Sequence, residues 1–264
     1  MITQARNSWR TVFAVAEMTL RQNVMDLFII FTVLVQPLLI AILALAMLQE
    51  KGEDYILFIV VGSGMTGNWS SLLFISGNSI NVERWSGTLE SLVGMPTSLS
   101  VIVFGKNLAN VGQSLLSMVV AFSLAVFIFD YDLTFSQPFL FIISLLLTVI
   151  AFISFGLVIA SVFVMNPSVQ RWQNAMEFPI YILCGFLFPI AMLPQWTTPI
   201  SYLLTPYWAA RALHGTSTGN APLEQTFFAW GMMVLFSVLY FVIASWLFKV
   251  MLVKARTDAT LDME

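Results

Sequence analysis

Charge is scarce in this chain. Asp, Glu, Lys and Arg make up 9% of its residues while 59% are hydrophobic, whereas a soluble domain carries roughly 25% charged residues. Such a composition cannot cover a water-facing surface, so the chain reads as an integral membrane protein in contact with the lipid bilayer. The net charge of −3 gives no electrostatic footprint for nucleic acid. Cysteine occurs once, at Cys184, which excludes an internal disulfide; in its apolar run it reads as a small buried hydrophobe. Histidine also occurs once, at His214; it is placed outside the membrane, with no nucleophile pattern nearby. No cluster of His, Cys, Asp and Glu has metal-ligand spacing, so no metal site is expected. A Walker A loop is missing too: Gly105-Lys106 is followed by Asn107 and lacks the upstream glycine. The chain is therefore expected to be neither an ATPase nor any other enzyme, and to bind no cofactor itself. Residues 1–21 show no short apolar run before a small-residue cleavage site, so no cleaved signal peptide is expected.

Long apolar runs are what the chain has in abundance. About 20 apolar residues cross the hydrocarbon core as a helix. Leu27–Leu48, Tyr55–Ile75, Leu108–Phe129, Phe139–Met165 and Phe227–Met251 meet that length. A sixth run, Phe178–Met192, meets Pro189 and Pro194 and is followed by Trp196–Leu213, itself broken by Pro199 and Pro206. Proline breaks helices, and broken backbone survives at membrane depth only inside protein or along a cavity. Residues 178–213 therefore read as one span plus short re-entrant helices in the outer leaflet. With six spans, both termini lie on one side. Arg6, Arg10, Arg21, Arg84, Lys106, Arg171, Lys249, Lys254 and Arg256 fall on that side, and only Lys51 and Arg211 on the other. The positive-inside rule makes the first side cytoplasmic.

This gives one transmembrane domain over 1–264. It divides into a cytoplasmic interfacial helix at 1–26, spans 1 and 2 at 27–75, a cytoplasmic loop at 76–101 and spans 3 and 4 at 102–165. A cytoplasmic loop at 166–177, span 5 with the re-entrant helices at 178–213, span 6 at 227–251 and a cytoplasmic tail at 252–264 complete it. Trp9, Phe13, Ala16 and Leu20 share one helical face, which suggests a helix lying along the inner leaflet; a plain extension of the first span is the other reading. Gly62-Ser63-Gly64-Met65-Thr66-Gly67 matches the dinucleotide fingerprint by letter, but inside an apolar span it reads as close helix packing. Asn68-Trp69-Ser70 is a glycosylation sequon at membrane depth and is discounted.

Lys106, Asn110, Gln113 and Ser117 form a polar stripe on one helical face. It suits either hydrogen bonds between helices or the wall of a hydrated cavity. Glu177, just before Phe178-Pro179, either bridges to Arg171 at the interface or lines a substrate path. Between spans 2 and 3, Glu83, Arg84 and Glu90 crowd into a short polar island. Ser86-Gly87-Thr88 is a turn and N-cap signal, Leu89, Leu92 and Val93 form an apolar face, and Gly94 and Pro96 end the helix. A helix this short is marginal alone and is expected to dock in a groove of a partner protein.

The string Glu83-Arg84-x-x-Gly87-Thr88-Leu89-Glu90-x-Leu92-x-x-x-Pro96-x-Ser98 closely resembles the ER-x-x-GTLE-x-L-x-x-x-P-x-S signature of ATP-binding-cassette type-2 (ABC-2) exporter permeases. Gly185-Phe186-Leu187-Phe188-Pro189, Leu193-Pro194-x-Trp196 and Leu204-Thr205-Pro206 are similar to that family's segment before the last span. The resemblance covers essentially the whole chain. It implies an all-α integral membrane fold with six spans, an N-terminal interfacial helix, a cytoplasmic coupling helix and re-entrant outer helices. It implies that Glu83, Arg84, Gly87, Thr88, Leu89, Glu90, Leu92 and Pro96 couple to a separate ATPase subunit, which holds the ATP and Mg. A second permease copy, identical or paralogous, would complete the pathway, in the bacterial cytoplasmic membrane. Phe188, Pro189, Pro194 and Trp196 would belong to the outer gate. Gln36, Asn68, Trp69, Glu177, Phe178 and Phe186 are the candidates for lining the path. With 23 Phe against 6 Tyr, the expected cargo is a lipophilic or amphipathic drug, antibiotic or peptide, and the alternative a polysaccharide or lipid-linked glycan. A self-contained channel is the reading from another class.

Overall fold

Helix is the regular structure found throughout the computed structural model, which describes residues 2–47, 53–88, 91–92, 94–95, 97–131, 133–164 and 169–257. That outcome follows from the solvent: lipid offers no partner to a backbone N–H or C=O, and a helix satisfies them internally. The chain runs through α1 (Ile2–Asn23), α2 (Leu27–Ile30), a π turn at Phe31–Val35 and α3 (Gln36–Met47). Next come α4 (Glu53–Ser70), a second π turn at Ser71–Ser76 and α5 (Ser79–Trp85). Then follow α6 (Leu99–Phe127), α7 (Pro138–Val164) and α8 (Val169–Leu183). Two 3-10 turns, Ile190–Met192 and Gln195–Thr197, lead to α9 (Thr198–Leu203), α10 (Thr205–Thr218) and α11 (Leu223–Thr257). Local chemistry marks the boundaries. The Asp26 carboxylate accepts from the N–H of Phe28 at 2.8 Å and of Ile29 at 3.3 Å, starting α2. Proline stands in the first turn of α9 and of α10, where its missing N–H costs nothing.

Among the described residues, five stretches are long and apolar enough to cross a bilayer: Leu27–Ala46, Tyr55–Trp85, Leu99–Phe127, Pro138–Phe163 and Leu223–Val250. The second is the hub. Its best apolar window is 94% buried, against 22% for the first and the last. It packs on α3, α6, α7, α8 and α10, while α7 also joins α6, α10 and α11 into the other half of the bundle. Trp69, Phe152 and Phe186 fill the centre. The glycines at 62, 64 and 67 serve close packing, as expected for that run. Any side chain at Gly62 would run into the Phe186 carbonyl, and at Gly64 into Met118. The Phe186 carbonyl is backbone and yields little. Gly62→Ala is therefore expected to destabilise the protein by about 1–3 kcal/mol, lowering its apparent melting temperature in detergent by roughly 2–12 °C. Gly112→Ala, with no atom within 4 Å of the added methyl, should leave that temperature unchanged.

Three features depart from the sequence expectation. The third span was expected from Leu108, but α6 begins at Leu99. Its early polar residues Lys106, Asn107 and Asn110 are enclosed by other helices. The apolar run Phe178–Met192 is helical only to Leu183, and α8 starts earlier, at Val169. At 1.5 Å per residue those 15 residues span about 22 Å, short of a full crossing. Finally, α1 lies along α6 through Val12, Ala16, Thr19 and Asn23, so Ala16 leaves the face expected to lie on the leaflet and joins the protein-facing one. Trp9, Phe13 and Leu20 stand exposed, and Trp9 meets Phe104 edge-on at 6.4 Å.

Candidate functional site

Two polar clusters stand out in a greasy bundle, at different heights along the second span. The first sits where α5 ends. Glu83 points back to α6 and forms an ion pair with Lys106, whose ammonium also lies 3.4 Å from the Ser79 carbonyl. The Thr88 hydroxyl donates to the same carboxylate and also lies 3.2 Å from the Glu83 carbonyl. Gly87 makes this wrap possible with φ +69°, a left-handed conformation that suits glycine. The Leu92 N–H donates to the Thr88 carbonyl at 3.1 Å, so Thr88 opens a turn as its N-cap signal implied. Leu92 is half-buried against the main core. Arg84 is half-buried as well, and its Nε has no hydrogen-bond partner. Leu89, Glu90 and Pro96 lie outside the described residues.

The second cluster lies nearer the middle. Three groups lie within hydrogen-bond reach of one oxygen of Glu177, which is 7% exposed: Gln36 Nε2 at 2.8 Å, the Tyr181 hydroxyl at 3.1 Å and the Ser70 hydroxyl at 3.3 Å. Ser70 and Tyr181 share a hydrogen bond of 2.5 Å, so one hydroxyl donates to the other and the second donates to Glu177 beside Gln36. The expected bridge to Arg171 is not formed among the described residues; Arg171 is engaged elsewhere. Six residues along a helix turn through about 240°, which puts Arg171 and Glu177 on different faces. The structure thus brings two candidates for the path, Gln36 and Glu177, into contact. Phe178 stands exposed beside them and meets Tyr181 edge-on at 5.8 Å. Ser70 lies 107 residues from Glu177, so no local signal joins them, whereas Tyr181, four residues on along the same helix, was findable from helical spacing.

The remaining path candidates are buried elsewhere. Trp69 stacks on Phe155 at 6.0 Å, and Phe186 is enclosed by the core, 6.0 Å from Tyr181. Asn68 accepts from Ser114, leaving its Nδ2 unpaired. The polar stripe on α6 mostly joins helices. Asn110 accepts from Asn23 at 2.9 Å and donates to Ser76 at 3.1 Å, while Gln113 accepts from Asn23 at 2.8 Å. Ser117 donates within its own helix, to Ser114 O at 2.6 Å. In the segment expected to hold the outer gate, Pro189 and Pro194 each precede a 3-10 turn. Phe188 is half-buried and Trp196 is 71% exposed.

The arrangement offers binding and mechanical linkage: a carboxyl group among neutral donors within the bundle, and a charged knot that ties a loop to a span. Comparison with known proteins points the same way. The profile of the ABC-2 type transporter family matches residues 8–217. ABC transporter G family member 20 of Dictyostelium discoideum is 24% identical over 172 residues, covering 65% of this chain and 22% of the relative. The chain thus spans about a fifth of that protein's length.

Proposed function

Because this chain belongs to the ABC-2 type transporter family, whose membrane domains are the permease part of ABC transporters, we propose that it is the permease subunit of an ATP-driven exporter of lipophilic or amphipathic compounds. Its expected partners are a separate ATP-binding-cassette subunit, which supplies ATP and Mg, and a second permease copy across the pathway. On this reading α8 and the segment after it complete a sixth crossing, the proline-broken stretch re-enters from outside, and both termini are cytoplasmic. The bacterial cytoplasmic membrane rests on the sequence resemblance alone.

The observation that carries the proposal is the knot at Glu83. A loop that only docks a partner needs no tie to the bundle, but here the carboxylate joins the end of the second span, the Thr88 turn and Lys106 on the third. Closure of the ATPase pair beneath would press on this loop, and the knot would pass the displacement to two spans as a rigid-body switch. The cluster at Glu177 supports the cargo class: an ionisable group inside a membrane protein is a default candidate for the transport path, and its one charge favours amphipathic cations over long glycans.

The test is co-expression with a candidate ATPase subunit, followed by affinity purification and reconstitution. Leu89→Asp with Glu90→Lys is expected to abolish co-purification while the permease still reaches the membrane. Hydrophobic cations should stimulate ATP hydrolysis by the parent complex, and undecaprenyl-linked glycans should not. Retained co-purification in the double variant, or ion flux from the permease alone without ATP, would overturn the reading.

A further inference from the structure

A cavity lies at the far end of the bundle from Glu83. Tyr55 and Phe58, on its wall, belong to the start of the second span, and Glu83 lies near the other end. The 31 residues of that span put the two ends about 46 Å apart. The cavity holds about 560 Å³, within the range of small-molecule sites. Three aromatic side chains stand on its walls: Tyr55 and Phe58 from α4, and Tyr207 from α10. The Phe58 and His214 rings stack at 3.6 Å with 12° between their planes.

Two polar groups face this space from successive turns of α10. Arg211 is half-buried, and its guanidinium donates to Gln225 Oε1 at 3.0 Å and to the Tyr207 hydroxyl at 3.4 Å. It lies over the Trp208 ring at 5.9 Å. Both acceptors are neutral, and among the described residues no carboxylate pairs with Arg211. A planar guanidinium with donors to spare is the side chain best shaped for a carboxylate. His214 is 7% exposed and sits 3.1 Å from the Phe186 carbonyl through Nε2, while its Nδ1 has no hydrogen-bond partner among the described residues. A carbonyl only accepts, so Nε2 carries the proton and Nδ1 of the neutral ring is an acceptor. Residues three apart on a helix share a face, about 5–6 Å between Cβ atoms.

We propose that this cavity binds a small, flat organic anion that also carries a hydroxyl or amine donor. The anion pairs with Arg211, the aromatic body lies against Tyr55, Phe58 and Tyr207, and the donor reaches His214 Nδ1. The site is separate from the Glu177 cluster and needs neither ATP nor an ATPase subunit.

The test uses the full chain in lipid nanodiscs and equilibrium dialysis of 6-hydroxy-2-naphthoate, with empty nanodiscs subtracted. Saturable binding of one molecule per chain is expected. 6-Hydroxy-2-naphthamide, which lacks the charge, should bind at least tenfold more weakly. 6-Methoxy-2-naphthoate, which lacks the donor, should bind about fivefold more weakly. Arg211→Gln should weaken the hydroxynaphthoate at least tenfold and erase its advantage over the amide. Ala191→Trp, on an exposed 3-10 turn lining the cavity, should block the site without disturbing the bundle. Equal binding of naphthoate and amide by the parent overturns the proposal, as does parental affinity in both variants. Because no nucleotide or partner is present, failure here leaves the exporter assignment standing, and loss of ATPase coupling leaves this site standing.

Discussion

Lys106→Met is expected to leave the permease in the membrane and bound to its ATPase, yet to cut ATP-driven transport at least tenfold. The side chains of Lys106 and Glu83 are only 15% and 22% exposed, so their attraction is less screened than that of a surface pair. Removing the ammonium leaves the Glu83 carboxylate with the Thr88 hydroxyl alone, at a cost of about 1–3 kcal/mol. That weakens the fold without destroying it. Transmission suffers more, because the loop loses its tie to α6. The neighbouring contacts of α6 explain why that tie matters: Asn110 and Gln113 hold Asn23 of α1, so a shift of α6 carries the N-terminal helix with it. The exchange Glu83→Lys with Lys106→Glu should recover part of the transport, and a double-mutant cycle should report a coupling energy between the two sites. Transport and ATP hydrolysis measured together in proteoliposomes read out the effect. Parental transport in Lys106→Met would remove the knot from the mechanism.

The second large effect falls at Glu177, where the nature of the substitution decides the outcome. Glu177→Leu strands two donors, the Gln36 amide and one of the two hydroxyls, because Ser70 and Tyr181 can still bond only to each other. Each unsatisfied buried group costs about 1–3 kcal/mol, a large share of the 5–15 kcal/mol that holds an ordinary domain together. Little folded protein is expected. Glu177→Gln keeps a carbonyl oxygen where the donors converge, so the yield and melting temperature should stay near those of the parent. Only the charge is gone. Transport of a cationic amphiphile should then fall at least tenfold while a neutral analogue of the same shape is carried as before. Equal loss for both cargoes would assign Glu177 to the scaffold.

The apolar runs were legible because the bilayer imposes a length on each crossing, and four of them differ from the observed helices mainly at their ends. The third apolar run begins at Leu108 because Lys106 and Asn107 interrupt it, so the turns that α6 adds from Leu99 did not show as part of the run. Glu83 and Lys106 were each noticed, but the pair was not: 23 residues separate them, and no periodicity links the two helices. Glu177 drew attention as an acid near a membrane edge, yet its partners are 141, 107 and 4 residues away. The stretch after Leu183 was legible as broken through its prolines, though where α8 ends was not. On α1 only Ala16 left the expected face, because hydrophobicity alone does not tell a lipid-facing position from a protein-facing one when both are apolar.

The burial of the second span has a consequence for how the protein is made. Of the five spans it has the lowest hydropathy, and Ser63, Thr66, Asn68, Ser70, Ser71 and Ser76 are all enclosed within the finished bundle. Alone in lipid, those side chains would face hydrocarbon and weigh against insertion. The third span supplies partners for several of them: Ser114 bonds to Asn68, and Asn110 to Ser71 and Ser76. The segment is thus a poor passenger by itself, and it should enter the membrane only as α6 emerges behind it. A nascent chain halted before Leu99 should hold residues 55–85 loosely, open to the aqueous side, and one extended past Phe127 should have them fixed in place.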